Sequence, residues 1–474
     1  MANVSPALLG AAKPIARAFA LAYLSATTPR LLSALLGVAR GKRSPAEAHS
    51  LIASALRQAL EWNRFPAFCA FLIGGSSALQ LPFRRLLRQL NGRSKKWHLD
   101  GLIVKRLARF LAALLAAAAG FEALNSRPYS DAAARVYLAE KAEKTSTPQP
   151  DKSLPIPTHP ISAARIPPLA GYTLPLTLFA FTRALDTTLH PHVPKWTPAA
   201  TFALSSAAIM HAFFYTPNRL PPGYARWISL LADLDQRLIK VLREARYGNF
   251  VYGKDTGIKD LLGSFCRELG LPEKWGDPAV TIPIPCLVVH QGECRSCERN
   301  AIKRALRAAR QALSLYLPLQ IMFLILRRFG GAKIRIAALR RLLASSARSA
   351  AFLGSFVGLF WYGVCLARTR VGPKLLGRWI GPQAWDGGLC IAAGCLACGG
   401  SVLIEDAARH VELSLFVLPR ALGIVLGRFY ERKYLNWERG VFCVSAATLI
   451  AVARERPERV RGVFGKILQG VLEG

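Results

Sequence analysis

Apolar runs recur along this chain near 15–38, 65–81, 102–121, 169–185, 199–215, 309–326, 350–367, 387–404, 411–427 and 440–453. Short stretches in which Lys, Arg, Pro and Gly collect separate them. A spanning helix needs roughly 17–25 apolar residues. Several of these runs lie near or below that limit, which predicts tilted helices or a thinned bilayer. The pattern predicts an all-α, polytopic helical membrane protein. A soluble domain that buries many all-apolar helices is the competing reading, and the two differ in whether hydrocarbon or protein surrounds the helices.

The runs also repeat. Leu176–Leu185 reads LTLFAFTRAL and Leu413–Leu422 reads LSLFVLPRAL, identical at six of ten positions. In the apolar runs that follow, Phe202, Ser205, Ala207, Pro217 and Arg219 correspond to Phe442, Ser445, Ala447, Pro457 and Arg459. Upstream, Arg64, Phe68 and Gly74 match Arg348, Phe352 and Gly358 at the same spacing, and Asp100-Gly101 precedes the next run much as Asp386-Gly387 does. Matches in the same order predict an internally duplicated chain. Its parts are a first membrane repeat, 1–215, an inter-repeat linker, 216–308, and a second membrane repeat, 309–474.

Loop charge bears on how the copies sit. The loop 82–98 carries Arg84, Arg85, Arg88, Arg93, Lys95 and Lys96 without an acid, and its counterpart 368–385 carries Arg368, Arg370, Lys374 and Arg378. Both should face the same, positive side. That predicts about four spanning helices per half, with 15–38 and 309–326 interfacial, paired or re-entrant. Residues 140–168, rich in Pro and polar side chains, read as an extended or disordered loop. In the linker, Trp227 to Arg243 has apolar residues at helical spacing, which predicts one amphipathic helix for the interface, a protein partner or the domain's own core.

Composition adds a constraint. Apolar residues make up 52% of the chain, yet 63 Lys and Arg stand against 28 Asp and Glu, a formal net charge of +35. Such an excess calls for a polyanion. The basic residues sit between apolar runs rather than across a folded face, which points to a lipid bilayer rich in anionic lipids and away from nucleic acid. The N-terminus lacks a compact secretory signal, and its first acid is Glu47. That composition suits a mitochondrial presequence or simply a first basic amphipathic element. The last residues carry no peroxisomal tripeptide.

Ten Cys are present, and five lie inside apolar runs, where Cys packs as a small residue. Cys286, His290, Cys294 and Cys297 are spaced as soft donors for a tetrahedral zinc ion, with a turn at Gln291-Gly292 to fold them together. A disulfide and unligated thiols are the other readings of this tract. Cys395 and Cys398 form a CxxC, but Gly387, Gly388, Gly394, Gly399 and Gly400 surround it, which favours close helix packing over redox chemistry. Gly74 and Gly75 read the same way in the first half.

Arg183 and Arg420 occupy matching places near the ends of apolar runs, and Arg64 and Arg348 open two others. Ionised groups near membrane depth mark substrate paths or lipid headgroup sites, with snorkelling to the interface as the plain alternative. No GxGxxG, GxSxG, HExxH or P-loop spacing occurs, so no enzyme is expected.

Five stretches carry a family likeness: Cys266-Arg267-Glu268-Leu269-Gly270, Gly276-Asp277-Pro278, the Cys286–Cys297 tract, Ala312-Leu313-Ser314-Leu315-Tyr316-Leu317-Pro318, and Ala351-Phe352-Leu353-Gly354-Ser355-Phe356-Val357. With the repeat, they make the chain resemble the transmembrane protein 135 family, in particular its fungal-type members, outside the 140–168 loop. The resemblance implies an integral protein of peroxisomal or mitochondrial membranes. It also implies similarity to peroxisomal membrane proteins and to the four-helix channel subunits of mitochondrial translocases. A related Cys tract expected before the first half is missing here. The function expected is support of metabolite or lipid movement or of organelle dynamics. A non-transporting scaffold or tether, with protein partners on the linker, and an import channel-like component are the alternatives.

Overall fold

The computed structural model describes residues 6–93, 100–126, 135–138, 168–329 and 336–473. Apart from Pro168, the expected 140–168 loop lies outside them. The protein is all-α: 81% of it is helical, and the sheet among the described residues is a short antiparallel bridge of Leu169–Ala170 with Tyr430–Glu431.

The first part of the chain forms α1 (Pro6–Ala39), α2 (Pro45–Ala59), α3 (Phe65–Ala78), α4 (Gln80–Arg93), α5 (Gly101–Asn125), α6 (Leu174–Leu189) and α7 (Thr197–Tyr215). The linker contributes α8 (Pro222–Ala232), α9 (Gln236–Tyr247), α10 (Lys259–Glu268) and the single turn α11 (Cys286–Val289). The remainder forms α12 (Cys297–Phe329), α13 (Ile336–Cys365), α14 (Val371–Leu376), α15 (Cys390–Gly399), α16 (Ala407–Leu426), α17 (Leu435–Glu455) and α18 (Gly462–Glu473).

Local chemistry explains several boundaries. Ser44 and Glu47 form a reciprocal capping box ahead of α2, with Pro45 in the first turn. The single amphipathic helix expected over Trp227–Arg243 is two helices, because Asp233 takes a left-handed conformation that ends α8 and the Asp235 side chain caps α9. Wide turns, Leu366–Arg370 and Trp385–Leu389, bracket α14 and lead into α15.

Among the described residues, six helical stretches are long and apolar enough to cross a membrane: Lys13–Ala39, Phe65–Gly92, Gly101–Asn125, Thr197–Tyr215, Ile336–Leu376 and Pro382–Ile404. Four of these fall in the first half and two in the second. The first run, expected to be interfacial or re-entrant, qualifies as a span. Its leucines Leu24 and Leu35 are each 57% exposed, as suits a helix facing hydrocarbon. The basic loop expected at 82–98 is helical as far as Arg93.

The chain divides into two compact units. One comprises Met1–Tyr137, Ala164–Pro194 and Arg428–Gly474, the other Leu138–Ala163 and Lys195–Gly427. In the first, α3 packs on α1 and α5, while α17 lies against α5 and α6. In the second, α13 packs on α12 and α15, while α7 lies against α15 and α16. Each unit is therefore completed by a helix from the other half of the chain. The aromatic cores follow: Phe442 of α17 sits 5.8 Å from Phe68, and Phe202 of α7 sits 5.7 Å from Phe352. The linker helices α8 to α11 belong to the second unit.

Small residues set the closest approaches, as they must where lipid offers no hydrophobic drive for helix association. A Cβ on Gly75 would lie 2.9 Å from that of Ala116, and one on Gly74 3.1 Å from Ile15. A Cβ on Gly394 would meet Val364 at 2.7 Å, and one on Gly399 would meet Ala203 at 2.6 Å. Two expected packing glycines behave differently. Gly400 has open space around it, and Gly388 has φ of 149°, so it serves a bend in the backbone.

Candidate functional site

The Cys tract folds as a turn of helix followed by a hairpin-like return. Cys286 and His290 are four residues apart at α11, so both side chains fall on one face. Gln291 and Gly292, with φ of 57° and 75°, reverse the chain and deliver Cys297 to the start of α12. The donor atoms of Cys286, His290 and Cys297 all lie within 4.8 Å of one another, a group able to hold a metal ion. Cys294, the fourth donor expected, turns away, and its thiol points to the Ser296 carbonyl at 3.6 Å. Its own carbonyl accepts a 2.7 Å hydrogen bond from His290 Nδ1. Burial holds the His290 imidazole below its ordinary value and pushes the Cys286 thiol up. At neutral pH the ring is neutral with a proton on Nδ1, which leaves the Nε2 lone pair free for a ligand.

A buried ion pair adjoins this group. Arg368, expected as an exposed loop charge, has its side chain 4% exposed and pairs with Asp386 through Nε and, at 2.8 Å, through Nη2. Tyr252 of the linker donates its hydroxyl to the same carboxylate and accepts from the Ile284 amide at 3.1 Å. Burial raises the Tyr252 phenol, so it remains a donor. The pair thereby ties linker residues to the turns bracketing α14.

The four arginines singled out by sequence are not brought together. Arg64 pairs with Glu61 at 2.8 Å, and Arg348 pairs with Asp406. Arg183 is buried in the first unit, its guanidinium over Phe179 and Phe464 and its Nη1 bonded to the Arg461 carbonyl at 3.2 Å. Arg420 is half-buried in the second unit and stacks on Phe416, four residues before it, as Arg183 does on Phe179. Among the described residues Arg420 forms no ion pair.

Beside Arg420 lies a cavity of about 340 Å³ within the second unit. Phe202, Trp227, Phe352, Phe356, Phe360 and Trp361 supply much of its wall. Tyr224 and Phe416 also line it, and both carry the Arg420 guanidinium over their rings, at 5.7 and 3.7 Å from the centroids. No single run of sequence announces this cavity, because its walls come from α7, α8, α12, α13 and α16.

The Cys395–Cys398 pair consists of free buried thiols, with Cys398 donating to the Cys395 carbonyl at 3.1 Å. The helices, their outward-facing leucines and these buried polar devices define a multi-pass helical membrane protein. No known family model matches the chain, and neither a curated protein nor a solved structure does.

Proposed function

We propose that the protein is a non-enzymatic lipid-handling component of a peroxisomal or mitochondrial membrane, which binds a single-chain anionic lipid in its second unit and supports its movement. The observation that carries this reading is the aromatic cavity with Arg420 beside it. Ligand pockets run from roughly 300 to 1,000 Å³. At about 340 Å³ this one suits one acyl chain better than two. A half-buried cation without a carboxylate partner is chemically matched to a carboxylate or phosphate headgroup. The organelle rests on the resemblance to the transmembrane protein 135 family, and the affinity for anionic bilayers on the +35 net charge.

The parallel order of packed helices in the two units suits an internally duplicated chain. For the thiol and imidazole group, soft thiolates and a neutral imidazole favour zinc over harder divalent cations.

The test is reconstitution of the full chain in vesicles with a fluorescent long-chain fatty acid. Saturable binding and protein-dependent transfer are expected. Arg420→Gln should weaken binding by about tenfold, the equivalent of ~1.4 kcal/mol, and Val357→Trp should abolish it by filling the cavity. Transfer no faster than in protein-free vesicles, with no saturable binding, would overturn this reading in favour of a scaffold or tether.

A further inference from the structure

We propose that Cys286, His290, Cys297 and Cys365 form one closed Cys3His zinc site, in which Cys365 at the end of α13 replaces Cys294 as the fourth ligand. Cys365 lies far along the chain from the tract, yet its Sγ is 3.4 Å from His290 Nε2. Cys286 and Cys297 present their Sγ atoms within 4.8 Å of a ring nitrogen of the same imidazole. Three thiols and one imidazole nitrogen therefore converge from three elements, α11, the start of α12 and the end of α13.

Geometry and chemistry both fit the ion. Zinc bonds of about 2.3 Å to sulfur and 2.0–2.1 Å to nitrogen place tetrahedral donors about 3.5–3.8 Å apart. The donor atoms of Cys286, His290 and Cys297 already lie within 4.8 Å of one another, close to that arrangement, and Cys365 Sγ lies 3.4 Å from His290 Nε2. His290 is oriented as zinc-bound histidines are, its Nδ1 proton held by the Cys294 carbonyl so that Nε2 points at the cluster. This gives Cys294 a positioning role through its backbone and leaves its thiol dispensable. His290 is fully buried, Cys297 is 7% exposed and Cys365 2%, while Cys286 is partly exposed, and all four positions come from protein. That is the mark of a structural ion rather than a catalytic one.

Three thiolates around a divalent cation leave a single net negative charge. Arg368, three residues after Cys365, is buried nearby, and its Nη1 has no hydrogen-bond partner among the described residues. The ion would clamp the linker tract onto the membrane helix α13. This inference is independent of the lipid cavity.

The experiment uses the full chain purified in detergent without added chelator, with zinc measured by inductively coupled plasma mass spectrometry. About one zinc per chain is expected, as for a structural site. Cys286→Ser, Cys297→Ser, Cys365→Ser and His290→Ala should each lose it, while Cys294→Ser and Cys443→Ser keep it. Because a ligand variant can fail to fold, the unmutated chain provides a second readout. Zinc should protect Cys286, Cys297 and Cys365 from alkylation, and a chelator should expose all three together. Cobalt substitution should give the intense visible bands of a tetrahedral thiolate site. Zinc retained by Cys365→Ser but lost by Cys294→Ser would overturn the assignment. So would a zinc-free chain that takes up none on titration, or a disulfide among these cysteines in protein prepared without reductant.

Discussion

Arg368 and Asp386 form a two-pronged ion pair inside the second unit, with side chains only 4% and 2% exposed. Two charges out of water are tolerable only when each neutralises the other, and removing one partner strands the second. Such a loss costs about 3–5 kcal/mol, whereas replacing both by apolar residues of similar volume is often neutral. Arg368→Ala and Asp386→Leu should each lower the thermal unfolding midpoint of the detergent-solubilised chain sharply. The double variant Arg368→Met/Asp386→Leu should be more stable than either single change. Equal losses in all three would mean that the pair is not a coupled unit.

Close helix approach gives a second expectation. Gly394 and Gly399 leave no room for a Cβ, while Gly400 faces open space. Gly394→Leu and Gly399→Val should each destabilise the protein by about 1–3 kcal/mol or more through overpacking. Gly400→Ala should remain within about 0.5 kcal/mol. Unfolding in a titration of denaturing detergent, followed by tryptophan fluorescence, ranks the three.

The cap of α9 carries a pH signature. Asp235 accepts from the Arg237 amide and its guanidinium, and the hydrogen bond to the Arg237 side chain holds the carboxyl below its ordinary value. A depressed folded-state value means that the contribution is complete above the unfolded carboxylate range and is lost as pH falls through the folded value. Asp235→Ala should cost about 0.5–2 kcal/mol at neutral pH. Its unfolding curve should approach that of the unaltered chain only as pH falls well below the usual aspartate range. A difference that stays constant with pH would assign the effect to helix propensity instead.

Arg183 and Arg420 each stack on a Phe four residues before them but should respond oppositely to mutation. Arg183 is buried against Phe179, Phe464 and the Arg461 carbonyl, so Arg183→Ala should lower stability by about 1–3 kcal/mol through lost packing and hydrogen bonding. Arg420→Ala should leave the unfolding midpoint nearly unchanged while weakening fatty-acid binding. Parallel unfolding and binding measurements on the two variants separate these outcomes.

The helical class was legible because apolar runs of the right length are a direct readout of bilayer thickness. The Gln291-Gly292 reversal was legible too, since Gly accepts the positive φ that the turn imposes. Cys365 was not, because spacing rules see neighbours in sequence, and a Cys at the end of an apolar run looks like any packing residue. Arg368 was read as loop charge for the same reason. One signal was available: Asp386 is the only acidic residue between Glu298 and Glu405, and a solitary acid among so many cations is a natural ion-pair partner. The placing of α7 in one unit and α17 in the other depends on tertiary packing that no local pattern encodes.

That placing has a consequence for synthesis. The core around Phe68 waits for Phe442, so the first unit to emerge from the ribosome cannot finish until nearly all of the polypeptide has been made. Until then its α5 and α6 surfaces lack their partner helix and would need shelter from an insertase or a membrane chaperone. A stalled or truncated nascent chain should therefore be marked for degradation on account of its earliest helices rather than its latest.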